Sequence, residues 1–323
     1  MQAARWRIFQ FFRFTIVFLV LMAARCSTPQ VVSETPKERP TLVATPSETP
    51  RPLPTPTPVP RHEVIATPWG ELFIPETVLD QHRAPLLVIH FHGSGRLMRE
   101  EFLKAGLPGV LLTMERSGLS AKYEREFRSP RSFEKLVNHC LKVLSERLGQ
   151  AQKVRAPTQV MVSSFSAGFG AVREILKQPF AVKAIEYVSM IDSLHAGFIE
   201  QPRRLVLKRI IDTELLESFV AYAKLAAAGK KHLMLTHSAI RPNGYASTTE
   251  VSEYLLAAVG KGKTSSCVEE FADLWPAESC KRKGHLTVVG YPGDTAPDHI
   301  EQMHHMEKFF SYWKRIIGPQ KLP

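Results

Sequence analysis

The stretch Gln159-Val-Met-Val-Ser-Ser164-Phe165-Ser166-Ala167-Gly168-Phe-Gly170 decides how this chain is read, because an apolar run passes straight into small residues and then into a helical pattern carried by Val172, Ile175 and Leu176. The run predicts a buried strand over Gln159 to Ser163, and the spacing after it predicts a helix. Ser166 then falls on the turn between the two. A serine at such a turn exposes its hydroxyl above the end of a sheet. Small neighbours, here Ser164 and Gly168, are needed because strand and helix pass close together.

Working outward, Leu87-Val-Ile-His90-Phe-His92-Gly93-Ser94-Gly95 repeats the arrangement of an apolar strand ending in small residues. From His62 onward short apolar runs alternate with longer amphipathic ones, the pattern of a mostly parallel sheet covered by helices on both faces. Strands are expected at Glu71 to Ile74, Leu86 to Phe91, Val110 to Thr113, Gln159 to Ser163, Ala184 to Ile191, His232 to Thr236 and Leu286 to Val289. Such continuous apolar runs suit strands buried on both faces. Phe133, Leu136, Val137, Cys140, Leu141, Leu144 and Leu148 recur at helical spacing, with Gly149 placed to stop the helix. Ser247 and Glu250 form a capping box for a helix to about Val259. A further helix, from about Thr213 to Ala228, follows a long connection after Ile191 and is either a lid or padding against the sheet.

Together these features resemble the α/β-hydrolase superfamily, whose turn reads Gly-x-Ser-x-Gly; here Ser164 stands where the first glycine would be. The resemblance implies an α/β fold, a three-layer sandwich over residues 62–323, with a short helical insertion after the strand ending at Asp192. It also implies a serine hydrolase, most readily a carboxylic ester hydrolase, needing no cofactor. Ser166 would be the nucleophile, and Gly93 or Ser94 with Ala167 would supply the oxyanion-hole N–H groups. A base and an orienting carboxylate must follow. Asp192 ends the strand Ala184 to Ile191. The next strand runs into His237-Ser238 with no carboxylate before Glu250, a helix cap, so Asp192 is the expected acid. The last strand leads into Gly290-Tyr-Pro-Gly293-Asp294-Thr-Ala-Pro-Asp298-His299, the loop where the family keeps its histidine. His299 is therefore favoured over His304 and His305 inside the following helix, and over His285 at the opposite strand end.

Two other readings share these residues. His90, His92, His195 and His237 fall at or just beyond strand ends and, with Asp192, would make a ligand set that zinc accepts, although no His-Glu-x-x-His motif is present. Alternatively, the same scaffold is a catalytically inactive surface-binding protein, since fold does not fix function. A peptidase is a further variant of the hydrolase reading.

The N-terminus carries Arg5, Arg7 and Arg13, then an apolar stretch from Phe14 to Ala24 and then Cys26, the layout of an export signal over residues 1–26. Leu21, Ala23, Ala24 and Cys26 resemble a bacterial lipobox, which would lipidate Cys26 and anchor the chain to a membrane. Arg25 departs from that pattern, leaving plain secretion or an uncleaved anchor as alternatives. Residues 27–61 hold ten of the 24 prolines among Thr, Ser and Glu, and proline removes a donor and fixes φ, so an extended disordered linker or stalk is expected. An exported or cell-envelope location makes an extracellular ester, such as an acylated polysaccharide or lipid, the expected substrate. The formal charge of +11 falls to +7 without Arg5, Arg7, Arg13 and Arg25, and no basic run interleaved with aromatics is present. Nucleic-acid binding is therefore not expected. Of the four cysteines, Cys267 and Cys280 are the natural disulfide pair in an oxidising compartment.

Overall fold

The computed structural model describes residues 62–81, 86–148, 159–199, 209–260 and 262–318. The expected export segment, Cys26, the proline-rich stretch and Gly149 lie outside them.

The chain begins with a hairpin, β1 (His62–Ala66) and β2 (Glu71–Pro75), then α1 (Glu76–Gln81), β3 (Leu86–Phe91), α2 (Gly95–Ala105) and β4 (Val110–Met114). Two helices follow, α3 (Ser120–Phe127) and α4 (Ser132–Leu148), before β5 (Gln159–Phe165), α5 (Phe169–Ile175), α6 (Pro179–Ala184) and β6 (Ile185–Ile191). The remainder is α7 (Glu217–Ala227), β7 (His232–His237), α8 (Thr248–Ala258), β8 (Ser265–Ser266), β9 (Ser279–Lys283), β10 (Leu286–Gly290), α9 (Ala296–His304) and α10 (Met306–Ile317). The strands lie in the order β1-β2-β4-β3-β5-β6-β7-β10-β9-β8. From β4 to β10 they run parallel, and the pairs at both ends are antiparallel.

Each central strand feeds two cores, because successive side chains point to opposite faces. In β3, Leu87, Ile89 and Phe91 join the core under α3, α4, α5, α7 and α8, whereas Leu86 and Val88 join the one under α2 and α10. The second core is locked by aromatic edges: Phe102 of α2 meets Phe310 of α10 at 5.5 Å and 84°. Truncating a fully buried phenylalanine such as Phe310 to alanine is expected to cost about 3–5 kcal/mol. The result is a three-layer sandwich, a mostly parallel sheet with helices on both faces.

Two topological facts position the site. The chain leaves β3 for β4 on one side and returns to β5 on the other, so the loops after β3 and β5 diverge and open a crevice at the carboxyl ends of the strands. In addition, Phe165 pairs with Ile191, which puts the residues after β5 and β6 side by side. The helix α7 is the crossover between β6 and β7. It buries Phe219, Tyr222, Ala223 and Ala226, and Tyr222 Oη donates to the Ile185 carbonyl at 3.3 Å, so it pads the sheet. Before it, Ala196 is bridged to Ala246 and Phe198 to Ile211.

Cys267 and Cys280 are joined by a disulfide with Cα atoms 5.0 Å apart, tying the segment before β9 to that strand. Cys140 is a free thiol in α4, and burial pushes its pKa up to about 12, so it is packing material.

Candidate active site

Among the described residues, the non-glycine residues with positive φ are His92 (71°), Ser166 (45°) and Asp192 (40°). Each directly follows a parallel strand, β3, β5 and β6 respectively. This backbone region is unfavourable for L-residues, costing on the order of 1–3 kcal/mol, and survives where the surroundings force it.

The forces on Ser166 can be named. A Cβ at Gly168 would lie 2.3 Å from the Phe91 carbonyl oxygen of β3, and one at Gly170 2.5 Å from that of Ser120 at the start of α3, so only glycine lets the helix start this close to the sheet and to α3. Below the turn, the Ser164 hydroxyl lies 2.7 Å from that of Ser193, which donates to the Ser166 carbonyl at 2.9 Å. Ser164 thus fastens the turn through a hydrogen bond, and its side chain is fully buried.

Asp192 and His299 meet across 107 residues: His299 Nδ1 lies 2.7 Å from Asp192 Oδ2. The other oxygen, Oδ1, accepts from the Ser238 N–H at 3.1 Å and from Thr248 Oγ1 at 2.6 Å. Burial alone would raise the Asp192 pKa; the hydrogen bond and charge of His299, then the bonds from Thr248 and Ser238, outweigh it and hold the carboxyl below its ordinary value. Asp192 is therefore an anion that fixes the imidazole with Nδ1 protonated and Nε2 free to accept. Thr236 Oγ1 accepts from the Asp192 N–H at 2.9 Å and donates to Gln302 Oε1 at 2.6 Å. Gln302 sits three residues after His299 on the same helix, so one polar chain ties the turn at Asp192 to α9.

His299 lies in the first turn of α9, not in the loop before it as the sequence suggests, because Thr295 and Asp298 form a capping box that starts the helix earlier. Its ring stacks on Phe165, the residue before Ser166, with centroids 4.5 Å apart. Among the described residues, no hydrogen bond joins Ser166 Oγ to His299.

On the other side of the crevice, His90 is buried and shapes the loop that follows. Its Nε2 lies 2.8 Å from the His92 carbonyl and its Nδ1 3.0 Å from Ser163 Oγ. The carbonyl can only accept, so Nε2 carries the proton and Nδ1 accepts from the serine. Burial holds the His90 pKa down at about 4, which keeps that neutral arrangement. His92 Nδ1 lies 3.0 Å from Tyr123 Oη, and its ring is parallel to Phe165. Gly93 has φ of 104° and packs so that a Cβ there would touch Met303 Sδ of α9 at 3.0 Å. Ser94 caps α2, accepting from the Leu97 N–H at 3.4 Å.

The remaining histidines disperse. His195 Nδ1 faces the Ala246 carbonyl, and His237 Nδ1 lies 3.0 Å from Thr249 Oγ1. His305 stacks on Trp275, and His285 stacks on His232 at the amino end of β10. Among the described residues, no three His, Cys, Asp or Glu side chains gather as metal ligands, so the alternative zinc set of His90, His92, His195, His237 and Asp192 is not assembled. Sequence reading missed Ser193, Thr236, Thr248 and Gln302. Gln302 alone carried a signal, its helical spacing from His299.

A cavity of about 350 Å³ opens beside Ser166 and Ala167, with Phe169, His195 and Tyr245 among its walls. No protein-family model and no curated protein matches the chain. Solved structures similar to it include a feruloyl esterase module from Clostridium thermocellum, at 13% identity and a TM-score of 0.44, covering 81% of this chain and 92% of that one. A poly(3-hydroxybutyrate) depolymerase from Bordetella parapertussis is similar at 15% identity and a TM-score of 0.41, covering 74% of this chain and 83% of that one. An acylaminoacyl peptidase from Pyrococcus horikoshii is similar at 12% and 0.40, covering 80% of this chain and 41% of that one.

Proposed function

We propose that this protein is an exported serine hydrolase that cleaves a carboxylic ester. The observation that carries the reading is the 2.7 Å contact of Asp192 with His299, made beside a serine held at positive φ. In the proposed reaction His299 Nε2 takes the proton of Ser166 Oγ as the oxygen attacks the ester carbon. The carbonyl oxygen becomes an oxyanion, received by the N–H of Ala167 and that of Gly93 or Ser94. The C–O bond to the alcohol breaks, and His299 returns the proton to the departing oxygen. Water then attacks the acyl-enzyme with His299 again as base, releasing the acid and restoring the serine. Asp192 stays ionised throughout and stabilises the imidazolium. Hydrogen bonds between nucleophile and base commonly tighten only when substrate is seated, which is the step this site requires of Ser166.

Export through residues 1–26, a stalk over 27–61 and an anchor at Cys26 would place the domain outside the cell, where an acylated polysaccharide or a lipid is the natural ester. Turnover of p-nitrophenyl acetate tests the reading. Ser166→Ala and His299→Ala are each expected to lower kcat by roughly a thousandfold or more. A folded Ser166→Ala protein that keeps the full rate, or a folded parent with none, overturns it.

A further inference from the structure

The cavity beside Ser166 has a side, a shape and a charge that together name the group it takes, provided the serine-hydrolase reading holds. The side follows from proton transfer. The alcohol must leave next to the imidazole that protonates it, and His299 is absent from the cavity's walls, whereas Ser166 and the proposed oxyanion donor Ala167 belong to them. The cavity is therefore on the acyl side of the ester.

Its shape is set by three rings. His195 stands edge-on to Tyr245, with centroids 5.0 Å apart at 83°, and to Phe169 at 5.5 Å and 70°. Aromatic groups prefer such edge-to-face contacts, so a planar ring finds both faces and edges here. An apolar cavity of ~150 Å³ holds benzene; about 350 Å³ has room for a substituted ring and the short chain joining it to the carbonyl. The charge is balanced internally. Arg173 is paired with Glu124 and lies over the Phe169 ring at 5.4 Å, so the wall offers no free cation to an acidic group.

Ser120 and Tyr245 bring hydroxyls that can donate as well as accept, whereas His195 brings a group that can only accept. His195 Nδ1–H points to the Ala246 carbonyl at 3.4 Å, which makes Nε2 the nitrogen left for a ligand, and it is an acceptor. Burial lowers the pKa of this imidazole, which keeps it neutral. A ligand in this cavity thus meets aromatic walls and, in His195 Nε2, an acceptor-only nitrogen that asks for a donor such as a hydroxyl.

We infer that the cavity binds the acyl part of a hydroxyaryl carboxylic ester, its ring packed against Phe169 and Tyr245 and its hydroxyl donating to His195 Nε2. Such an acyl group is compatible with a decorated extracellular polysaccharide.

The methyl esters of p-hydroxyphenylpropanoate, p-methoxyphenylpropanoate and octanoate test this, with p-nitrophenyl acetate turnover and fluorophosphonate labelling as measures of the underlying serine chemistry. The p-hydroxy ester is expected to have a kcat/KM about tenfold above the other two, in keeping with one neutral hydrogen bond plus ring packing. In His195→Phe, which keeps a ring and removes the acceptor, the hydroxy-to-methoxy ratio is expected to fall to about one. Tyr245→Leu is expected to lower both aryl esters relative to octanoate. A parent enzyme that turns over p-nitrophenyl acetate yet prefers octanoate, or whose hydroxy-to-methoxy ratio survives His195→Phe, overturns the cavity assignment alone. A folded parent with neither labelling nor turnover overturns the hydrolase reading beneath it.

Discussion

Ser193 Oγ donates a 2.9 Å hydrogen bond to the carbonyl of Ser166 while lying 2.7 Å from Ser164 Oγ. Ser164 and Ser193 therefore act together on the backbone of Ser166. Ser193→Ala is expected to reduce stability by about 0.5–1.5 kcal/mol, the net value of a buried hydrogen bond. It is also expected to lower kcat several-fold with KM nearly constant, because the hydroxyl positions Ser166 and touches no substrate. Ser193→Thr, which retains the hydroxyl, should recover much of kcat. Steady-state kinetics on p-nitrophenyl acetate and urea unfolding of the three proteins check this.

Asp192→Asn keeps the shape of the acid but replaces an acceptor-only group that takes bonds from His299, Ser238 and Thr248. An amide cannot stabilise an imidazolium, and its NH₂ favours the wrong histidine tautomer. The expected outcome is a loss in kcat of roughly a thousandfold or more with circular dichroism unchanged.

His90 makes stability depend on pH. Its folded pKa, about 4, lies below the unfolded value of 6.5, so as pH falls between these values the unfolded state takes up a proton that the folded state does not. Stability is fully present above pH 6.5 and is lost progressively down to pH 4, by on the order of 3 kcal/mol from this group. Urea unfolding at several pH values is expected to show a shallower dependence across that window for His90→Gln than for the parent. Equal slopes would mean that His90 is not held neutral in the fold.

The Cys267–Cys280 disulfide closes a loop with a sequence separation of 13. A cross-link of that span is expected to contribute about 3 kcal/mol, chiefly by restricting the unfolded chain. Reduction, or replacement of both cysteines by serine, should lower the melting temperature by several degrees. The strand-end residues lie on other elements, so ester turnover below the melting transition should persist.

Much of the fold was legible because the parallel strands are buried on both faces. Each becomes an unbroken apolar run, and all seven expected strands fall within two residues of their observed ends at each terminus. Of the strands that sequence reading missed, β1 and β8 are the sheet's edges and β9 is next to one, where solvent exposure removes the apolar signal; in β9, Cys280 alone is buried. The short helices α1, α3 and α6 were missed for the opposite reason: six to eight residues hold too few turns to display a period.

At the site, strand ends pointed to Ser166, Asp192 and His299, since a parallel sheet delivers its loops to one edge. What pins them was hidden. Thr236 lies inside an apolar strand, and Thr248 reads as part of a helix start beside Ser247. Ser193 opens a loop, where a small polar residue is expected as a matter of course. Their partners are 27 to 66 residues distant, and only the folded register brings them together.

The central claim is that Ser166 is a nucleophile activated by His299. Incubation of the folded protein with a fluorophosphonate, followed by intact-mass measurement and peptide mapping, tests it most directly. The account predicts one adduct per chain, located on Ser166, absent in Ser166→Ala and strongly slowed in His299→Ala. Absence of an adduct on the folded parent, or an adduct on another residue that persists in Ser166→Ala, would contradict it.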